Sequence, residues 1–272
     1  MNWFEGIIYG IVTGAATFLP ISANAHQIIV RNVMGIPQQP LLDMLIWVSI
    51  LLSLLFSNRS VFAKLQRQRN RQTKRGRPVI ADTRSLLDIR LVKVATVTMV
   101  IVSLLLMFIL PADYKLPWLV LCLIANGVIL YIPDHMRQGN KDSRQMSKMD
   151  SILIGIIGAL SVLPGISRIG VCMSTAVARG ADKRLALHWA LLLCVPGIII
   201  MIVMSLLDLI RLGVGTIDFL TVLVYLLSMI SAFITGYFTV RFMRLLSNQA
   251  GGTGFAYYSW GAALFVFILY LL

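Results

Sequence analysis

Apolar residues gather along this chain in long blocks, with no strict helical or strand period inside them. The blocks at 41–57, 91–110, 118–133, 186–210, 218–241 and 255–272 approach the length that a helix needs to cross hydrocarbon, about 20 residues, and predict six transmembrane helices. Two further stretches are interrupted. Residues 3–16 and 27–35 flank Leu19-Pro20, and residues 151–181 contain Leu163-Pro164. Each arm is too short to cross, so 3–35 and 151–181 are predicted to be re-entrant helical hairpins.

The interrupted stretches resemble each other. Aligned on Leu-Pro, they match at Gly14/Gly158, Ala15/Ala159, Leu19/Leu163 and Pro20/Pro164. The chain therefore divides into a first repeat, 1–135, and a second, 151–272, each with one hairpin and three crossings. An odd number of crossings per repeat inverts the second copy, and the hairpins then meet near the midplane from opposite faces. The predicted fold is an all-α polytopic membrane protein with inverted-topology repeats. A break facing lipid would leave backbone groups unpaired at several kcal/mol each, so these breaks must line a cavity or pack inside protein.

Composition agrees, since 58% of residues are hydrophobic and 13% charged. A soluble core this apolar is improbable. The formal charge of +13 would indicate nucleic acid in a soluble protein. Here ten Lys and Arg fall within 59–90, between two spans, and read as a cytoplasmic loop against anionic lipid, with both termini external. Cys122, Cys172 and Cys194 sit in apolar sequence without metal-ligand spacing and are expected as buried thiols.

Polar residues cluster after the breaks. Arg168 at membrane depth needs a partner, and beside Gly165, Ser167 and Gly170 it reads as a phosphate cradle. A structural ion pair with Asp43 or Glu5 is the alternative. His26 can serve as nucleophile, base, donor or packing residue. Ser22 can donate to a phosphate, as can Ser167, or either can cap a helix.

Leu19-Pro20-Ile21-Ser22 followed by His26, together with Pro164-Gly165-Ile166-Ser167-Arg168 and Gly170, resemble the undecaprenyl-pyrophosphate phosphatase family over essentially the whole chain. The resemblance implies a homodimer in the bacterial inner membrane. It implies an outward-facing pocket for a C55 polyprenyl diphosphate, which loses its terminal phosphate for reuse as a cell-wall lipid carrier. His26 and Ser22 become the catalytic candidates, and Arg168, Ser167, Gly165 and Gly170 the phosphate-binding ones. The family's two glutamates are replaced by Thr13 and Thr17, its second serine by Ala23, the following Thr-Gly by Asn24-Ala25, and a serine by Ile169. Mg²⁺ or Ca²⁺ is a family expectation that threonines do not meet. Two readings follow: a diphosphatase, or a non-hydrolytic polyprenyl-phosphate carrier (flippase).

Overall fold

A computed structural model describes residues 1–59, 89–109, 116–136, 139–213, 217–246 and 252–271. The basic segment 59–90 lies, except at its ends, outside the described residues.

Ten α-helices are present among them. In the first half of the chain these are α1 (Trp3–Phe18), α2 (Ala23–Met34), α3 (Pro40–Ser57), α4 (Ile89–Ile109) and α5 (Leu116–Asp134). In the second they are α6 (Lys148–Ala159), α7 (Arg168–Ala178), α8 (Lys183–Leu212), α9 (Phe219–Leu246) and α10 (Thr253–Leu271), with a 3₁₀ turn over Leu160–Val162. The six predicted crossings fall on α3, α4, α5, α8, α9 and α10, all long and apolar enough to cross a membrane. Burial sorts them: half of the apolar window of α3 is inside the protein but only 17% of that of α4. A surface carrying Phe108, Phe219 and Leu245 fully in the open is a surface made for lipid.

Local signals set the ends of the short helices. Asn2 and Glu5 form a capping box at α1, and Ser147 and Asp150 form another at α6. Gly35, with φ 64°, closes α2. One boundary differs from expectation: α2 starts at Ala23 and not at 27, because Ser22 caps it directly after the break. His26 therefore stands on the first turn of a helix.

Helix α3 packs on α8, and α5 on α10. Among the short helices, α1 lies against α9 and α6 against α4. The α1 contact is made by Gly6, Gly10 and Gly14, one helical turn apart on one face. A methyl on Gly14 would stand 2.5 Å from the carbonyl oxygen of Ala232, and one on Gly6 would stand 2.7 Å from Ser228 Oγ. Small residues at this spacing let helix backbones approach in a solvent that gives no hydrophobic drive between them.

Salt bridges fasten the open ends of both helix pairs. Arg31 of α2 pairs with Asp43 of α3, which also accepts the Tyr9 hydroxyl at 2.7 Å. Arg179, just past α7, and Lys141 both pair with Asp150 of α6, at 2.6 and 3.6 Å.

Gly10→Ala places a methyl on the Ser228 carbonyl and forces α1 from α9. A loss of about 1–3 kcal/mol is expected, seen as a lower melting temperature in detergent. Gly254→Ala, where no atom lies within 4 Å, is the neutral control. Equal melting temperatures for the two variants would contradict the close approach.

Candidate functional site

Each break is written by its proline. Pro20 supplies no N–H and biases the residue before it out of the α region, and Leu19 is extended at φ −87°, ψ 157°. Leu163, before Pro164, is likewise extended at φ −67°, ψ 125°. Gly165 follows at φ 111°, a conformation for which glycine is suited, with its α-carbon pressed against Cys122 of α5.

The two breaks satisfy one another. Ser22 caps α2 by accepting the Ala25 N–H at 3.3 Å, and it also accepts the Gly165 N–H at 3.0 Å. Ser167 caps α7 by accepting the Gly170 N–H at 3.1 Å, and donates to the Leu19 carbonyl at 3.2 Å. Asn126 of α5, fully buried, joins both. Its Oδ1 accepts the Ser167 N–H at 2.8 Å, while its Nδ2 donates to Ser259 Oγ at 2.9 Å and to the Pro20 carbonyl at 3.4 Å.

Beside this crossing lies a polar pocket of about 260 Å³. Thr17, Ser22, Asn24, Trp47, Ser161 and Arg168 line it, with Ile21, Ala23 and Ile166 as its apolar wall. Arg168 donates from Nε to Ser161 Oγ at 3.3 Å. Its guanidinium rests on Gly197 of α8, where a methyl would stand 2.6 Å from Cζ. Among the described residues no carboxylate lies within ion-pairing distance of Arg168. The two anticipated partners are engaged elsewhere, Asp43 with Arg31 and Tyr9, and Glu5 in the α1 capping box.

Hydroxyl geometry fixes what each side chain can offer. Ser22 Oγ accepts two N–H groups, so its proton is the valence left for a ligand. Thr13 donates to the Tyr9 carbonyl and Thr17 to the Thr13 carbonyl, each at 2.7 Å. Thr17, a lining residue, therefore has only acceptor capacity left, while Thr13 is fully buried.

The other sequence candidates sit outside the lining. His26 donates from Nδ1 to the Ser22 carbonyl at 2.6 Å, since a carbonyl can only accept. In the neutral ring Nε2 then accepts the Tyr258 hydroxyl at 2.7 Å. Ser167, and the amides of Gly165 and Gly170, are spent on the crossing itself. Ile169 is buried in the core.

Among the described residues no carboxylate, imidazole or thiol lines the pocket, and no cluster of three or more His, Cys, Asp or Glu can hold a metal ion. This donor set does not fit Mg²⁺ or Ca²⁺, which take carboxylate and carbonyl oxygens. A larger cavity of about 430 Å³ lies beyond Pro20, between α5, α7, α9 and α10. Its lining is mainly apolar, with Asp134 and Lys183 paired at 3.5 Å.

Sequence reasoning passed over Ser161, Trp47, Asn126 and Gly197. Ser161 had a legible signal: the offset that aligns Pro20 with Pro164 also aligns Thr17 with Ser161 and Asn24 with Arg168. Trp47, Asn126 and Gly197 belong to other helices and enter only through tertiary packing.

A profile of the bacitracin resistance protein BacA family matches residues 6–265. The undecaprenyl-diphosphatase of Alkaliphilus metalliredigens is 26% identical over the full length of both chains. That of Methanobrevibacter smithii is 27% identical across 98% of each, and that of Treponema denticola is 30% identical across 95% of this chain and 94% of its own. With its paired proline motifs, six apolar helices and a match along nearly all of its length, the chain belongs to the bacitracin resistance protein BacA family, the undecaprenyl-pyrophosphate phosphatases.

Proposed function

We propose that the protein binds the phosphorylated head of a polyprenyl diphosphate and hydrolyses undecaprenyl diphosphate to undecaprenyl phosphate and phosphate. The observation that carries this reading is Arg168, a guanidinium with no counter-ion among the described residues, in a hydroxyl-lined pocket inside an apolar fold. A buried cation so placed calls for an anion, and the family's lipid has one.

The chemistry divides among the lining residues. The terminal N–H groups of Arg168 take phosphate oxygens, and Ser22 and Ser161 add hydroxyl donors. Water attacks the terminal phosphorus, the bond to the bridging oxygen breaks, that oxygen leaves on the lipid phosphate, and the water's proton passes to the released phosphate. Arg168 holds the charge that grows on the oxygens, the kind of preorganised stabilisation on which phosphoryl transfer chiefly relies. His26 and Ser22 act as a unit: the imidazole grips the Ser22 carbonyl and so sets the cap from which the hydroxyl points. Where relatives have two glutamates this chain has Thr13 and Thr17, and acid–base help worth about 10²–10⁴ in rate is forgone. Slow turnover without a divalent cation is the result.

The finer architecture belongs to the same proposal. The two interrupted helix pairs are re-entrant hairpins of an inverted repeat, entering from opposite membrane faces. Supporting this, packing partners exchange between the repeats, with α1 on α9 answered by α6 on α4, and α3 on α9 answered by α8 on α4. The pocket opens to the outer face, and the basic segment 59–90 is cytoplasmic.

Purified protein is expected to release phosphate from undecaprenyl diphosphate at a rate that chelators leave unchanged. Arg168→Ala should lower it by about 10²–10³. Release no faster than from Arg168→Ala would overturn the reading. Gly197→Ala tests the seat of the guanidinium separately. Its methyl meets a side chain that can swing away, so the fold is retained, and the rate should fall toward that of Arg168→Ala. A folded Gly197→Ala protein with full activity would show that the seat does not matter.

A further inference from the structure

The pocket is not uniformly a donor site. Thr17 lines the cavity, and its Oγ1 has given its proton to the Thr13 carbonyl, so toward any further partner it can only accept. Asn24 presents a carboxamide, which carries an acceptor as well as donors. Its sole partner among the described residues is a weak one, Met201 Sδ at 3.9 Å from Nδ2, and its Oδ1 is unengaged. Asn24 occupies in the first repeat the place that Arg168 holds in the second. One wall of the pocket thus offers a cation, and on the other Thr17 and Asn24 bring acceptors beside the Ser22 hydroxyl.

A fully ionised phosphate monoester carries two charges and no proton. Here it would meet one positive charge, and at least one of its oxygens would face lone pairs. A singly ionised ester matches the single guanidinium in charge. Its P–OH proton gives the acceptors something to hold. We propose that Asn24, with Thr17, makes the pocket selective for a phosphate ester in its singly protonated, monoanionic form, the carboxamide oxygen accepting the P–OH hydrogen bond while Arg168 holds the ionised oxygen.

This rests on the reading of the pocket as a phosphate site and adds the protonation state it recognises. The groups around the pocket are few. From α7 Arg168 is the one charged lining residue, and the linings from α1, α2, α3 and the 3₁₀ turn carry no titratable group. Farther out, Asp43 of α3 is held by Arg31 of α2 and Tyr9 of α1, His26 of α2 by Ser22 and Tyr258, and the thiols of Cys172 on α7 and Cys194 on α8 are buried. The ligand's own second ionisation, near pH 6 for phosphate monoesters, therefore governs binding.

The test is the affinity of the purified full-length protein in detergent for farnesyl phosphate, measured across pH 5 to 8.5. A second ligand, the difluoromethylene phosphonate analogue, ionises at lower pH. Affinity should fall about tenfold per pH unit above the ligand's second ionisation, and the onset should move down with the phosphonate. Asn24→Leu, which keeps the volume and removes the acceptor, should flatten the profile and leave Arg168-dependent binding in place. Affinity that is level or rising with pH, or an onset that is the same for both ligands, would overturn the proposal while leaving the phosphate site standing. Wild-type binding no better than that of Arg168→Ala at every pH would remove both.

Discussion

Inside an apolar fold every backbone N–H and carbonyl needs a partner that water does not supply, and in this protein that requirement falls on two proline breaks. Neither break closes its own accounts. Ser22 of the first takes the Gly165 N–H of the second, and Ser167 of the second gives its proton to the Leu19 carbonyl of the first. Asn126 stands between them with one amide group and touches both. Satisfying the backbone thus forces two helix pairs, far apart in sequence, to cross at one point. The polar pocket is the space beside that crossing.

What the pocket can do follows from which charges the surrounding structure leaves uncompensated. Asp43 is held by Arg31, Asp150 by Arg179 and Lys141, and Asp134 by Lys183. Arg168 alone of the cations near the crossing rests on a glycine and a serine hydroxyl. Membership of a phosphatase family and a set of residues depleted in acids are compatible on this footing. Among the described residues the pocket lining keeps a guanidinium and hydroxyls, which can hold an anion, and carries no carboxylate or imidazole to move a proton. Thr13 and Thr17 add no acid–base group, and both hydroxyl protons turn back onto α1, so each oxygen has only acceptor capacity left.

Much of the fold was legible because it follows from block length and breaker residues. Six apolar blocks gave six helices, and Leu-Pro pairs located both interruptions. The start of α2 was misplaced by reading the first apolar residues as its beginning, when the serine cap after proline was the stronger signal. The stripe Gly6, Gly10 and Gly14 was readable as a close helix contact, although its partner on α9 was not. Arg168 and Ser22, which stand out in the sequence as charge and hydroxyl among apolar residues, line the pocket. His26, Ser167, Gly165 and Gly170 were equally conspicuous, yet hydrogen bonding consumes them in building the crossing. A sequence shows that a polar group is present, and only the fold shows which of its valences remain.

The central claim is that the two interrupted helix pairs share one pocket in the membrane-embedded protein. The most direct measurement is cross-linking of a Thr17→Cys, Ser161→Cys protein in native membranes with a short bifunctional thiosulfonate, read by mass spectrometry. The account predicts a covalent link between the two positions in high yield, and none when Ser161→Cys is replaced by Phe108→Cys on the lipid-facing surface of α4. Equal labelling of Thr17→Cys and Ser161→Cys without a link between them would place the breaks in separate surroundings and contradict it.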